Sequence, residues 1–276
     1  MSTIDQYAVF GHPINHSKSP RIHTLFAEQT QQQLAYTAQD VPAETFDNSV
    51  STFFAQGGKG LNCTVPLKEL AWQRADTLSE RAKFSKAVNT LVLQKDGSLL
   101  GDNTDGIGLV TDLTNNHNIS LENKRILILG AGGASRGIIG PIMQKSPTHI
   151  VIANRTVEKA ITLSQEFSQL GKITGCSYDE IKNSEFDLIL NATSASLTGD
   201  LPPLSSSLLA SNGTCYDLAY SNAPTAFVKW GLENGATKSL DGLGMLIEQA
   251  AEAFFIWRGV RPKTKDIIAL LNSERN

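Results

Sequence analysis

A few short polar segments hold the residue types that could do chemistry. Ser17-Lys18-Ser19-Pro20 puts two hydroxyls at the start of a proline-opened helix. Free N–H groups and the helix dipole favour a carboxylate there, although Ser19 before Pro20 is also what a plain N-cap looks like. Asn62 and Thr64 are two apart on a predicted strand and so face one side, just before Pro66 opens a helix with Lys68 in its first turn. A lysine at that end opposes the helix dipole. That hints at function, but an exposed lysine costs little and the plain reading stands beside it. Asn103-Thr104-Asp105-Gly106 also reads two ways: Asp105 caps a helix over Ile107 to Leu113, or it is the partner of Lys68.

A second kind of chemistry is written around residue 130. Arg125 to Leu129 reads as a strand running into Gly130-Ala131-Gly132-Gly133-Ala134, which opens a helix. In that context Gly130 permits a tight turn, and Gly132 lets backbone N–H groups approach a pyrophosphate at the helix N-terminus. Ser135 occupies the place of a third glycine, and Gly137, Gly140 and Pro141 weaken the helix, so packing alone also accounts for the turn. Asn154-Arg155-Thr156 closes the next strand, where an NAD enzyme usually has an acid on the ribose hydroxyls. An arginine there can pair with a 2′-phosphate, a charge-assisted bond of roughly 1.5–3 kcal/mol, enough to select NADP over NAD by one to two decades. Lys159 can add a second charge; in the bland reading Thr156 caps the helix from Val157 and Arg155 is solvated.

The elements that must position these groups alternate between short apolar runs and segments of helical spacing, the pattern of an α/β protein. Strands are predicted over Tyr7–Gly11, Leu34–Asp40 and Gly60–Thr64, with helices from Pro20 to Gln33, Pro42 to Gln56 and Pro66 to Ala75. Asn89 to Leu100 reads as a hairpin around Asp96-Gly97. Further strands are predicted at Lys124–Leu129, Ile150–Ala153, Lys172–Cys176, Phe186–Asn191 and Gly213–Asp217. The stretch from Gly242 to Trp257 puts Leu246, Ala250, Phe254 and Trp257 on one helical face, with Glu248 and Glu252 elsewhere.

Composition limits what this assembly serves. With 276 residues, 24 Lys+Arg, 27 Asp+Glu and a net charge of -3, about two ordinary domains are expected. There is no basic face for nucleic acid or a membrane surface, so a small polar metabolite is the expected ligand. Three scattered cysteines frame neither disulfides nor a zinc site, and His12 and His16 lie in a loop, so no metal is expected. No apolar run approaches the ~18 residues of a membrane span, and a cytoplasmic location is expected.

Taken in order, the segments closely resemble the shikimate dehydrogenase family over nearly the whole chain. The resemblance rests on Ser17 to Pro20, Gly60 to Lys68, Ala87 to Thr90, Asn103 to Gly106, the glycine turn, Asn154 to Thr156, Asn191 to Ser194, Asp217 to Tyr220 and Asp241 to Leu246. It implies NADPH-dependent reduction of 3-dehydroshikimate in chorismate and aromatic amino-acid biosynthesis, with quinate oxidation by NAD and noncatalytic NADPH binding as rivals. It implies that Lys68 and Asp105 are the catalytic pair, and that Ser17, Ser19, Asn62, Thr64, Asn89, Tyr220 and Gln249 join them in holding the substrate. Residues 130–134, Asn154, Arg155, Thr156, Lys159, Thr193, Leu218, Gly242 and Met245 would line the NADP site, with Glu80 a further carry-over. Cys63, Ser196 and Lys159 stand where the family more often has valine, glycine and arginine. The implied architecture is a substrate domain over 1–105 completed by helices in 241–276, and a Rossmann-type NADP domain over 106–240, with a cleft between them. The implied assembly is a monomer or homodimer.

Overall fold

The computed structural model describes residues 4–193 and 195–275; Ser194 lies outside the described residues, as does the side chain of Ser196. The chain divides into two compact units, Met1–Gly108 with Ile247–Leu270, and Leu109–Leu246 with Leu271–Asn276. Both are α/β, as the alternation predicts.

The first unit runs through β1 (Asp5–Gly11), α1 (Ser19–Thr30), β2 (Leu34–Asp40), α2 (Phe46–Ala55), β3 (Gly58–Cys63), α3 (Lys68–Arg74), β4 (Thr77–Leu78), α4 (Glu80–Ser85), β5 (Thr90–Leu93), β6 (Leu99–Asp102) and the start of α5 (Asp105–Thr111). Its sheet has the order β2-β1-β3-β5-β6-β4. Strand direction reverses in the middle, because β5 pairs antiparallel with both β3 and β6. A three-residue loop, Lys95-Asp96-Gly97, makes the hairpin, closed by Gln94 N–H on Ser98 O at 2.8 Å. Along β1 the side chains divide with a period of two: Ala8 and Phe10 join one core with Leu61 and Leu91, while Tyr7 and Val9 join Ile14 and Tyr36.

Two proline-opened helices start later than their sequence suggests. Pro42 precedes a single 3₁₀ turn, and α2 begins at Phe46. Pro66 is taken up in a turn closed by Leu67 N–H on Thr64 O at 2.7 Å, so Lys68 is the first residue of α3.

The second unit comprises β7 (Arg125–Leu129), α6 (Gly133–Met143), β8 (His149–Ala153), α7 (Val157–Phe167), β9 (Ile173–Cys176), β10 (Phe186–Asn191), β11 (Leu209–Asp217), α8 (Ala226–Glu233), β12 (Lys238–Leu240) and the first turn of α9 (Leu243–Arg258). Its sheet is parallel throughout, in the order β12-β11-β10-β7-β8-β9. This is the doubly wound order, whose switch point lies between β7 and β10. Ile126 and Ile128 enter one core layer and Leu127 and Leu129 the other, which explains the unbroken apolar run of β7.

From Ile247 onward α9 belongs to the first unit, followed by most of α10 (Lys265–Ser273). Ala250 and Phe254 are fully buried, and Trp257 donates to Leu91 O at 3.1 Å. The carboxylates of α9 are not on a solvated face: Glu248 accepts from Thr264 Oγ1 at 2.6 Å, and Glu252 pairs with Arg81 at 3.0 Å and with Arg261. Burial of these acids is possible because each has a partner. Among the described residues, no helix is long and apolar enough to cross a membrane.

Candidate active site

The polar cluster of the first unit is set by sheet register. Asn62 lies opposite Thr90, and Thr90 opposite Asp102, across the place where the sheet changes direction. Asp102 is fixed by Ser79 Oγ at 2.5 Å and by Arg81, whose Nε donates at 2.7 Å, and it leads into Asn103-Thr104-Asp105. Asn103 Oδ1 accepts the Asp105 N–H at 3.1 Å while its Nδ2 donates to Ala87 O at 2.9 Å. Asn103 thus serves the helix start, and the N-cap reading of Asp105 gives way. The freed carboxylate accepts from Lys68 Nζ at 2.6 Å and from Asn89 Nδ2 at 2.8 Å. The side chains of Lys68 and Asp105 are 22% and 9% exposed, so the pair is largely desolvated yet Lys68 keeps an opening.

Gln249, on α9, joins this cluster by accepting from Asn89 Nδ2 at 3.2 Å and Thr104 Oγ1 at 3.3 Å. Ser19 is the first residue of α1 rather than its N-cap, which is Lys18. Ser19 is buried, while half-buried Ser17 accepts the Ser19 N–H at 3.3 Å. Thr64 is half-buried beyond the end of β3. Asn62 is occupied within the protein: Tyr36 donates to its Oδ1 at 2.7 Å, and its Nδ2 donates to Asn89 O at 2.9 Å and Thr90 Oγ1 at 3.0 Å. Tyr36, Thr90 and Thr104 are thus members of the cluster that sequence reasoning passes over. The repeated Asn-Thr of Asn89-Thr90 and Asn103-Thr104 marks the two threonines in the sequence, whereas nothing comparable marks Tyr36. Burial pushes the Tyr36 phenol pKa well up, so it stays a donor, and burial likewise pushes up the Cys63 thiol against the opposing effect of Lys68.

In the second unit β7 is followed by Gly130, whose φ is +100° and where an added Cβ would stand 3.0 Å from Thr193 Cγ2 and 3.3 Å from Ala192 O. Glycine is required on both counts. Gly132 is the N-cap of α6, and nothing lies within 4 Å of a Cβ built on Gly132 or Gly133. Open space beside the free N–H groups of an 11-residue helix fits a pyrophosphate. Ser135, in the place of a third glycine, is fully buried and donates to Gly130 O at 2.7 Å, so it staples the turn.

At the end of β8, Arg155, Thr156 and Lys159 are exposed. Thr156 is the N-cap residue of α7 by position, and its hydroxyl makes no capping bond. Asn154 Nδ2 ties the loop to Thr156 O at 2.8 Å. Among the described residues no carboxylate pairs with Arg155 or Lys159, and Arg155 opposes the rise that burial imposes on the Tyr178 phenol pKa. Two cations without acidic partners beside the glycine turn's strand suit a 2′-phosphate. Thr193 Oγ1 is fixed on Asn191 Oδ1 at 2.7 Å. A Cβ on Gly242 would stand 2.2 Å from Leu218 O, so the two backbones are in contact. Buried Met245 has its N–H on Tyr216 Oη at 3.2 Å, and Tyr216 donates to Asp112 at 2.7 Å. Tyr220 is half-buried in this unit, whereas Glu80 is exposed in the first unit and paired with Lys83 at 2.6 Å.

A doubly wound unit with a glycine turn and an acid-free ribose position, alongside a unit holding a desolvated Lys–Asp pair, defines a dinucleotide-dependent oxidoreductase. Family models described as the shikimate dehydrogenase substrate binding domain, shikimate / quinate 5-dehydrogenase, and the shikimate 5′-dehydrogenase C-terminal domain match residues 9–91, 112–198 and 242–271. The chain is 58% identical over 275 residues to shikimate dehydrogenase (NADP(+)) of Methylococcus capsulatus, covering 100% of this chain and 99% of the relative. It superposes on the crystal structure of an Ael1 enzyme from Pseudomonas putida with a TM-score of 0.91, at 45% identity, covering 97% and 98% of the two chains. For shikimate 5-dehydrogenase from Thermus thermophilus, solved with NADP(H) and shikimate, the TM-score is 0.87 at 30% identity, covering 99% and 100%. The chain belongs to the shikimate dehydrogenase family.

Proposed function

We propose that the chain catalyses the reversible NADPH-dependent reduction of 3-dehydroshikimate to shikimate. The observation that carries this reading is the Lys68–Asp105 pair at 2.6 Å, held by Asn89, with Lys68 and Asn89 both inside the segment that matches the substrate-binding family model. NADPH supplies the hydride when bound. Lys68 donates the proton that the developing alkoxide needs, general-acid help of the kind that contributes ~10²–10⁴-fold. Asp105 orients the ammonium and keeps its charge compensated in largely desolvated surroundings. Ser17 and Ser19, at the N-terminal end of α1, receive the substrate carboxylate, and Thr64, Asn89, Gln249 and Tyr220 take its hydroxyls. Asn62, with both amide ends occupied, positions its neighbours rather than touching substrate. Residues 130–134 would receive the pyrophosphate and Arg155, Thr156 and Lys159 the 2′-phosphate, with Thr193, Leu218, Gly242 and Met245 lining the rest of the NADP site. Glu80, paired with Lys83, is left out of the cofactor site. The chain works in a reducing cytosol, where Cys63, Cys176 and Cys215 stay free thiols, as a monomer or homodimer.

Steady-state oxidation of shikimate and of quinate by the purified protein, each with NADP and with NAD, tests this. Fastest turnover on shikimate with NADP is expected. Absence of NADPH oxidation in the presence of 3-dehydroshikimate would sink the proposal.

A further inference from the structure

A continuous run of hydrogen bonds leads from Tyr36 to Lys68, and its direction is fixed at both ends by the backbone. Asn62 Nδ2 faces the carbonyl of Asn89 at 2.9 Å, which can only accept. The amide of Asn62 therefore has one orientation, with Oδ1 toward Tyr36, whose hydroxyl donates at 2.7 Å. The second Asn62 N–H goes to Thr90 Oγ1 at 3.0 Å. With that oxygen already accepting, the single Thr90 hydroxyl proton is directed onward to Asn89 Oδ1 at 2.9 Å. The far end is bracketed in the same way, because Asn89 Oδ1 also accepts from the backbone N–H of Thr104 at 2.9 Å, which can only donate. Asn89 must then turn its NH₂ toward Asp105 Oδ1, at 2.8 Å, and the other Asp105 oxygen meets Lys68.

Thr90 is fully buried in the strand β5, and Tyr36, Asn62 and Asn89 are also buried. Burial shields these groups from solvent, so removing one leaves its acceptor or donor unmatched. His23 lies flat on Tyr36, with ring centroids 4.1 Å apart and an interplanar angle of 4°, so the start of the run is held by packing as well.

We infer that Thr90 is a positioning residue for the reaction: its hydroxyl, polarised by Tyr36 through Asn62, is a second donor on Asn89 Oδ1 beside the Thr104 N–H, and it holds in place the amide that aims the Asp105 carboxylate at Lys68. This rests on the reading of Lys68 and Asp105 as the reacting pair. Thr90 itself touches neither substrate nor cofactor. A valine at this position keeps the β-branched shape and deletes the relay; a serine keeps the relay and deletes only a methyl.

The test compares parent, Thr90→Val, Thr90→Ser, Tyr36→Phe and Lys68→Ala as full chains, in NADPH oxidation with 3-dehydroshikimate and in thermal unfolding. Thr90→Val should lower kcat about tenfold, within the range a small misplacement of catalytic groups produces, with KM for NADPH unchanged. Thr90→Ser should return kcat to within about twofold of the parent even if its melting temperature stays lower. That split between turnover and cofactor KM, with rescue by the hydroxyl, is not produced by a merely structural role. If Thr90→Val fails to fold, Tyr36→Phe, which also removes a partner of Ser19, deletes the donor to Asn62 in the same run and should lower kcat at saturating 3-dehydroshikimate without moving KM for NADPH. Near-parental kcat in a folded Thr90→Val or, failing that, in Tyr36→Phe overturns the inference, as does a serine variant no better than valine. Lys68→Ala separates the two levels: if it too turns over normally, the reading of the pair is wrong, whereas a dead Lys68→Ala beside a normal Thr90→Val rejects Thr90 alone.

Discussion

Replacing Asp105 by asparagine perturbs the site with almost no change of shape. One of the two terminal atoms becomes a donor, while both of its partners, Lys68 Nζ at 2.6 Å and Asn89 Nδ2 at 2.8 Å, are donors already. Asn89 cannot offer its oxygen instead, because that atom accepts from Thr104 N–H at 2.9 Å. Whichever way the new carboxamide lies, a donor faces a donor. Over 2.6 Å and at an effective dielectric of about 20, the attraction between Lys68 and Asp105 is about 6 kcal/mol gross. Desolvation of two largely buried charges offsets most of it, and a charge-assisted hydrogen bond keeps about 1.5–3 kcal/mol net. If that amount is lost as the proton moves, kcat falls about ten- to a hundredfold. Steady-state reduction of 3-dehydroshikimate at saturating NADPH measures it, with thermal unfolding as the control for folding. A variant with parental melting temperature and kcat within about threefold of the parent would show that the carboxylate does not govern Lys68.

Two further outcomes follow from the same geometry. Arg155→Asp removes a cation that has no acidic partner among the described residues and places a carboxylate at the expected ribose position, so KM for NADPH should rise by about one to two decades while NADH is spared or gained; equal losses with both cofactors would remove the 2′-phosphate role. Burial lowers the His23 pKa to about 3 from its ordinary 6.5. Between those values the unfolded chain binds a proton that the folded chain refuses, so stability falls as pH drops below 6.5, by about 1.4 kcal/mol per pH unit. His23→Phe should abolish this contribution and lose about 2 kcal/mol less than the parent between pH 7 and pH 5 in urea unfolding. Identical slopes for the two proteins would exclude His23 as the source.

Much of the scaffold is legible in the residue order, because its signals are local. β2 and β10 have the predicted bounds, since each is a β-prone run between turn or helix signals. Helix starts were less legible: the proline rule placed α3 at Pro66, and only the bond from Leu67 N–H to Thr64 O shows that proline spent in a turn. The choice between Asp105 as cap and as partner was likewise undecidable from spacing, because Asn103, two residues earlier, satisfies the helix start instead. The spacing puts Glu248 and Glu252 off the apolar face and says nothing of their partners, Thr264 in the loop after α9 and Arg81 at a separation of 171 residues. Tyr36 and Thr90 are ordinary strand formers by propensity. Their part in the site depends on the register Asn62–Thr90, a pairing no local pattern encodes.

The first unit's discontinuity also orders events in time. Asn89 meets Gln249 across 160 residues and Arg81 meets Glu252 across 171, with the whole of Leu109–Leu246 made in between. Domains generally fold as units while synthesis proceeds. Here the strands that emerge first must wait for the helix that emerges nearly last, so Trp257 reaches Leu91 O only after the doubly wound unit has had time to form. The long-range closures make the substrate-side unit the slower to complete. A nascent chain ending at Leu246 would thus already carry the glycine turn and Arg155 while its Lys68–Asp105 pair still lacked Gln249 and the Arg81–Glu252 brace, and catalytic competence would be the last property the polypeptide acquires.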